Sequence, residues 1–321
     1  MSDFDAGGVS IPAQGAHGGG AAALAVVLGV DPREILDLSA TLNPLAPDVA
    51  ALVRRGAEAV RRYPEPSRAR DALAEAIGIE RERVLLTNGG SEAIALVAAE
   101  LGAASIVEPE FSLWRRHLTT VRAQDEAGAQ ERVRSNPNNP TGILAVPDDI
   151  AACWDEAFFA LSTGCWTRGD AERGAIVVGS LTKLFACPGL RLGYVLGPEA
   201  ELICRLAERQ PLWSVNALAL GVLPELLEQT CLPEWAEGVA ALRRSLATLF
   251  EEAGFAVDAA DAPWILVEQA GWLRDALAHH GVLVRDCASF GLDETVRVAV
   301  PGPSGLERIE MALDRVMAER K

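Results

Sequence analysis

Lys183 is the residue that its neighbours best equip for covalent chemistry. It lies in Gly179-Ser180-Leu181-Thr182-Lys183, directly after the β-branched run Ile176-Val177-Val178. Pro188, Gly189, Arg191 and Gly193 follow, before a second apolar run from Leu192 to Leu196. A Gly- and Pro-rich loop between two short strands can hold a hydroxyl, an ammonium and a guanidinium over one anionic ligand. A lysine in an apolar pocket beside another cation has a lowered pKa and can form a Schiff base with a carbonyl. Most lysines that follow a strand are solvated surface residues, so the assignment depends on the other segments. Ser180-x-x-Lys183 also matches the spacing of penicillin-binding proteins, but the S-D-N and K-T-G tripeptides that complete such a site do not occur.

Four other stretches carry polar groups where a strand should end. Thr87-Asn88-Gly89-Gly90-Ser91-Glu92 runs from the strand Val84-Leu85-Leu86 into an apolar helix from Ala93 to Leu101. Free amides and the helix dipole then point at the turn, which suits an anion, although the pattern is neither G-x-G-x-x-G nor a Walker motif. Phe111 in Glu108-Pro109-Glu110-Phe111 places an aromatic just past the strand Ser105-Ile106-Val107. Ser135-Asn136-Pro137-Asn138-Asn139-Pro140-Thr141-Gly142 offers amide donors on a backbone fixed by prolines. Asp155-Glu156-Ala157-Phe158 precedes the Lys183 loop. Arg297, inside the apolar Thr295-Val296-Arg297-Val298, would be costly without a counter-charge, which favours a ligand role. Arg285, next to Asp286, could instead belong to an ordinary surface pair, the lesser alternative. Near the N-terminus His17-Gly18-Gly19-Gly20 reads as a turn, and Ala40-Thr41-Leu42-Asn43-Pro44 as an extended segment.

These segments must be positioned by alternating strands and helices, the pattern of an open α/β sheet whose ligands bind at the strand carboxyl ends. From Phe255 onward short strands alternate with helices in a smaller α+β pattern. The expected organisation is an N-terminal arm (1–44) reaching the site, a large α/β domain (45–230) with a mainly parallel sheet, and a small C-terminal α+β domain (231–321). Segments 112–135 and 143–154 are short for the crossovers they must make.

Composition narrows the partners. At 321 residues the chain can build two subdomains, and it has no run of about eighteen apolar residues that could span a membrane. Its acidic N-terminus lacks the features of a signal peptide, so a soluble, cytoplasmic protein is expected. Six scattered cysteines and four histidines give no disulfide framework and no metal site. The net charge of −16 argues against nucleic acid and requires a local positive pocket for any anionic ligand.

Together, Asn138-Asn139-Pro140-Thr141-Gly142, Asp155-Glu156-Ala157-Phe158, Ser180-Leu181-Thr182-Lys183 and Gly189-Leu190-Arg191-Leu192-Gly193, in this order, resemble the fold-type-I pyridoxal-phosphate enzymes. The similarity lies in the branch of histidinol-phosphate aminotransferase and threonine-phosphate decarboxylase, and it runs from His17 to Pro301. It implies an aspartate-aminotransferase-like fold with pyridoxal 5'-phosphate bound covalently at Lys183. Ser180, Arg191, Gly90 and Ser91 would hold the phosphate, joined by Tyr63 of a neighbouring subunit in a homodimer. Asp155 would face the pyridine nitrogen, Asn139 the ring hydroxyl and Phe111 the ring face. Phe158 stands where many aminotransferases of the branch carry Tyr.

Within that branch, His17-Gly18-Gly19 and Leu38-Ser39-Ala40-Thr41-Leu42-Asn43-Pro44-Leu45 are similar to the N-terminal segments of the threonine-phosphate decarboxylases of cobalamin synthesis. The resemblance implies that His17, Gly18, Asn43, Asn139, Arg285 and Arg297 bind a small anionic amino-acid phosphate. The alternatives are an aminotransferase of histidinol phosphate or a related amino acid, and a non-catalytic cofactor-binding paralogue.

Overall fold

The structure is a computed structural model that describes residues 10–13, 18–122 and 131–320. By its internal contacts the chain divides into two units. One comprises Leu45–Asn139 and Ile143–Glu237; the other comprises the described residues up to Pro44, Pro140–Gly142 and the residues from Gly238 onward. The N-terminal stretch thus belongs to the same unit as the C-terminal residues. The second break falls inside the helix Leu232–Glu252, where the sequence suggested residue 231.

Among the described residues the larger unit is built on seven strands: β1 (Val84–Asn88), β2 (Ala103–Ile106), β3 (Thr120–Arg122), β4 (Arg132–Ser135), β5 (Cys153–Asp155), β6 (Ile176–Gly179) and β7 (Leu192–Leu196). Their order across the sheet is β1-β7-β6-β5-β4-β2-β3. All neighbours pair in parallel except β7, which runs antiparallel to β1 and β6. The side chains of β1, β6 and β7 divide between two buried layers. Val84, Leu86, Val177, Leu192, Tyr194 and Leu196 enter one, and Leu85, Ile176, Val178 and Val195 the other. Both faces are therefore covered, as parallel sheets require; of the apolar runs read from the sequence, β6 and β7 are central strands and β1 is an edge strand with both faces buried.

This topology brings the chemistry to one edge. β1, β2, β4, β5 and β6 end beside Asn88, Glu110, Ser135, Asp155 and Gly179. Because β7 is antiparallel, its start lies at that same edge: Leu192 pairs with Asn88 and Gly193 with Thr87. Arg191, immediately before β7, is delivered there by strand direction alone.

The short connection from β4 to β5 contains no helix. It is braced by Arg168, whose Nη1 and Nη2 donate to the carbonyls of Val146 (2.9 Å) and Asp149 (2.8 Å). The guanidinium also holds Asp170 through two hydrogen bonds (2.6 and 2.9 Å) and lies 4.1 Å from the centre of the Trp154 ring. A charged plane stacked on an indole replaces the missing helix.

The smaller unit carries a four-stranded antiparallel sheet in the order Arg285–Asp286, Val296–Ala299, Trp264–Val267, Val257–Asp258. Its core joins Ile265, Val267, Val296 and Val298 to Leu246 and Phe250 of one helix and to Ile309 and Leu313 of the helix Pro303–Glu319. The expected single strand from Val282 to Arg285 divides at Val284. Val282–Leu283 pairs in parallel with Leu36–Asp37, while Arg285–Asp286 pairs with Val296–Ala299. Pro140–Gly142 joins this unit because the Trp264 indole N–H donates to Pro140 O (2.8 Å) and Asp261 N–H to Gly142 O (3.0 Å). Among the described residues no helix is long and apolar enough to cross a membrane, and no His/Cys/Asp/Glu group could hold a metal ion.

Candidate active site

In the larger unit the Lys183 loop is closed by Thr182, a residue that the sequence did not single out. Its hydroxyl donates to Leu192 O (3.0 Å) and accepts from Leu192 N–H (3.1 Å), tying the one-turn helix Leu181–Leu184 to the start of β7. Lys183 is half-buried on this turn. It is one of only two lysines in the chain, the other being the terminal Lys321. That count was readable from composition and narrows the covalent chemistry to one internal residue.

Three groups expected at a phosphate converge beside this loop. The helix Gly90–Leu101 begins at Gly89, which adopts φ +78° and provides no side-chain cap; Glu92 N–H (3.2 Å) and Ala93 N–H (3.4 Å) return to Gly89 O, so the amides offered to an anion are those of Gly90 and Ser91. A Cβ on Gly89 would stand 2.4 Å from Arg191 Nη2, and one on Gly90 would stand 3.6 Å from Ser180 Cβ and 3.8 Å from its Oγ. Ser91 follows in the helix's first turn. Only glycine leaves room for the guanidinium against the turn. Arg191 itself adopts φ +59°, a conformation costly for a side-chain-bearing residue and held here by the closed loop. Behind the turn, a Cβ on Gly193 would lie 2.5 Å from Gly89 C and 2.6 Å from Gly90 N.

A second cluster sits where β2, β4 and β5 end. Asp155 is 5% exposed, and its Oδ1 accepts from Ala157 N–H (3.1 Å). Burial pushes its carboxyl up to about 6 against that hydrogen bond. A carboxylate so desolvated is relieved by a cation, and a protonated pyridine nitrogen supplies one. Asp155 and Ser135 are register partners. The Ser135 hydroxyl accepts from Asn139 N–H (2.8 Å) and donates to Glu110, fixing the start of the Asn139 loop. Phe111 is half-buried beside it. Glu110 and Glu156, 3% exposed each, are buried carboxylates that sequence reasoning passed over; burial pushes both up to about 7. Tyr63 is 77% exposed and stacks on Trp213, ring centres 4.6 Å apart.

Of the described residues expected at a substrate, Gly18, Asn43, Arg285 and Arg297 lie in the smaller unit and Asn139 in the larger. His17 lies outside the described residues. Gly18 packs on the backbone: a Cβ there would be 2.2 Å from Ser39 O, and Gly19 N–H donates to Ser39 Oγ (3.0 Å). Asn43 is buried. Arg285 and Arg297 are direct register partners on adjacent antiparallel strands, 3% and 6% exposed. Both guanidiniums face the Phe290 ring, and Arg297 also faces Trp264 at 4.9 Å. Burial lowers both, Arg297 to about 10, with the charge of Arg285 adding to the shift. Arg285 is therefore a buried residue, and the surface-pair reading fails.

The larger unit thus offers a lysine, an anion cradle of Ser180, Arg191 and the Gly89-Gly90 turn, and a buried carboxylate. That donor set fits a phosphorylated aromatic aldehyde with a basic ring nitrogen. Residues 133–316 match the family model for aminotransferases of class I and II. The chain is 30% identical to the threonine-phosphate decarboxylase of Salmonella typhimurium, with 94% of this chain and 96% of that protein aligned. It is also 30% identical to histidinol-phosphate aminotransferase 2 of Methylococcus capsulatus, with 89% and 91% aligned. Among solved structures, histidinol-phosphate aminotransferase from Sinorhizobium meliloti, in complex with pyridoxal-5'-phosphate, shares the fold with a TM-score of 0.78. There the identity is 16%, with 97% of this chain and 96% of that one covered. The chain belongs to the aminotransferase class I and II family, has the aspartate-aminotransferase-like α/β fold, and is a pyridoxal-phosphate enzyme.

Proposed function

We propose that this enzyme decarboxylates L-threonine O-3-phosphate to (R)-1-amino-2-propanol O-2-phosphate for cobalamin biosynthesis. The observation that carries the reading is the pair Arg285 and Arg297, two buried guanidiniums opposite each other in one sheet, which suits a small substrate with both a carboxylate and a phosphate. The likeness to the Salmonella threonine-phosphate decarboxylase, and the Gly18-on-Ser39 packing of the N-terminal segment, support it.

Pyridoxal phosphate, when bound, withdraws electrons from the substrate Cα. Lys183 would hold the cofactor, Asp155 would stabilise its protonated ring nitrogen, and Asn139 and Phe111 would meet the ring hydroxyl and ring face. Ser180, Arg191, Gly90 and Ser91 hold the cofactor phosphate. His17, Gly18, Asn43, Asn139, Arg285 and Arg297 would bind the substrate by its carboxylate and phosphate and so set which bond at Cα breaks. The cofactor held there would accept the electron pair that carbon dioxide leaves at Cα, and the net reaction takes up one proton from solvent at that carbon. The enzyme works as a cytoplasmic homodimer. The exposed Val60, Tyr63, Leu212 and Trp213 support a face covered by a second copy, with Tyr63 reaching the partner's phosphate site.

The similarity to the Methylococcus enzyme favours transamination as the second reading. Purified holoenzyme given O-phospho-L-threonine separates them. Carbon dioxide release without a keto acid supports decarboxylation, turnover only with 2-oxoglutarate replaces it with transamination, and normal cofactor absorbance with neither reaction points to a non-catalytic paralogue.

A further inference from the structure

Glu110 is a buried carboxylate for which the reading above has no use. It follows the end of β2, its side chain is 3% exposed, and it stands directly before Phe111. Three donors converge on it. Phe111 N–H donates to Oε1 (2.7 Å), Ser135 N–H donates to Oε2 (2.8 Å), and the Ser135 hydroxyl donates to Oε1. The same hydroxyl accepts from Asn139 N–H (2.8 Å), and Asn138 Nδ2 donates to Pro109 O (3.0 Å). One carboxylate therefore joins two loops that leave different strands. One loop carries the aromatic expected on the cofactor ring face, and the other carries the amide expected at the ring hydroxyl.

The chemistry of the cluster explains why a carboxylate stands there. All three groups that meet Glu110 are donors, and the two backbone amides cannot reverse. Glu110 in its ionised form only accepts hydrogen bonds and satisfies every one of them. An amide of the same shape would turn its NH2 toward either the Ser135 or the Phe111 N–H, and one buried donor would lose its partner. Ser135 is also the register partner of Asp155, so the carboxylate that faces the ring nitrogen is set on the strand next to the one Glu110 secures.

We propose that Glu110 is a positioning residue for the pyridoxal-phosphate ring, holding Phe111 directly and Asn139 through the Ser135 hydroxyl. The inference rests on the cofactor assignment and adds a residue to it. Glu110 touches neither cofactor nor substrate. It acts by removing the freedom of two loops before the cofactor arrives, so that the ordering cost is not charged against binding.

The test compares wild type with Glu110→Gln, which keeps size and shape, and Ser135→Ala, which removes the relay hydroxyl but keeps the backbone donor. Three quantities are read: the dissociation constant for pyridoxal phosphate, the position of the visible absorption band of the loaded protein, and amide hydrogen exchange of residues 111 and 135–139 without cofactor. The expected result is a tenfold or larger loss of affinity and a displaced band in Glu110→Gln, a smaller change of the same sign in Ser135→Ala, and faster exchange in both. Wild-type affinity and band in Glu110→Gln would overturn the positioning role, as would unchanged exchange at 135–139. Should Glu110→Gln fail to fold, Ser135→Ala decides by the same three readings. Failure of wild type itself to take up pyridoxal phosphate would instead overturn the cofactor assignment, which separates the two outcomes.

Discussion

A single methyl group at Gly193 provides a sharp test of the phosphate cradle. Gly193 pairs with Thr87 across β7 and β1, and its Cα faces the back of the turn that Arg191 and Ser180 line. In Gly193→Ala the new Cβ would stand 2.5 Å from Gly89 C, 2.6 Å from Gly90 N and 2.9 Å from Gly89 O. Carbon atoms pack at about 3.5–4.0 Å, so the turn must recede by about 1 Å. The atoms struck are backbone, which cannot rotate away as a flexible side chain would. Overpacking of this kind costs about 1–3 kcal/mol of stability. Misplacing a binding group by about 1 Å costs on the order of 10²-fold, or about 2.7 kcal/mol. Affinity for pyridoxal phosphate should therefore fall about 10²-fold, while affinity for pyridoxal, which lacks the phosphate, should change far less. Equilibrium titrations of the cofactor-free protein with both compounds measure the ratio. Equal losses for the two compounds, or an unchanged constant for pyridoxal phosphate, would refute the placement of the phosphate at Gly89-Gly90.

Three further outcomes follow from the same geometry. Arg297→Leu should raise KM for O-phospho-L-threonine about 10- to 150-fold at unchanged cofactor absorbance, because each charge-assisted hydrogen bond contributes about 1.5–3 kcal/mol; an unaltered KM would remove Arg297 from the substrate site. Asp155, Glu110 and Glu156 are raised to about 6, 7 and 7 from ordinary values of 3.8, 4.5 and 4.5. The folded chain then holds more protons than the unfolded one across that window, so these groups impose no penalty below pH about 4 and their full penalty above about 7. Urea midpoints of cofactor-free protein should fall between pH about 4 and about 7, and Glu156→Gln should flatten the trend; a steady rise would contradict the assignment. Arg168→Ala should cost about 3–5 kcal/mol in urea unfolding, since Asp170, 4% exposed, keeps only Arg173 at 3.3 Å; a loss below about 1 kcal/mol would show that the β4–β5 connection does not depend on this brace.

Much of the candidate site could be proposed from the sequence because its residues are local. Ser180 and Lys183 stand three apart on one turn, the Gly89-Gly90-Ser91 turn joins a strand to a helix, and Asp155 ends an apolar strand. Periodicity and turn chemistry speak to such neighbours. What escaped depends on distant partners. Nothing near Glu110 announces that Ser135, 25 residues on, will meet its carboxylate. Thr182 looked like filler until Leu192 folded back on it. Pro140–Gly142 left the Asn139 loop for the other unit because of Trp264, which lies 124 residues from Pro140. The strand at 282–285 divided because its halves find different sheets, a choice that neither half encodes alone.

The account stands or falls on the bond between the cofactor and Lys183. With only Lys183 and Lys321 in the chain, a modified lysine has two possible positions. Protein loaded with pyridoxal phosphate is treated with borohydride, which makes a lysine–pyridoxal bond permanent, and is then digested for peptide mass spectrometry. The modification should lie on the peptide containing Lys183, and Lys183→Ala should carry none and lose the visible absorption band. Modification at Lys321, or a band retained in Lys183→Ala, would contradict the central claim.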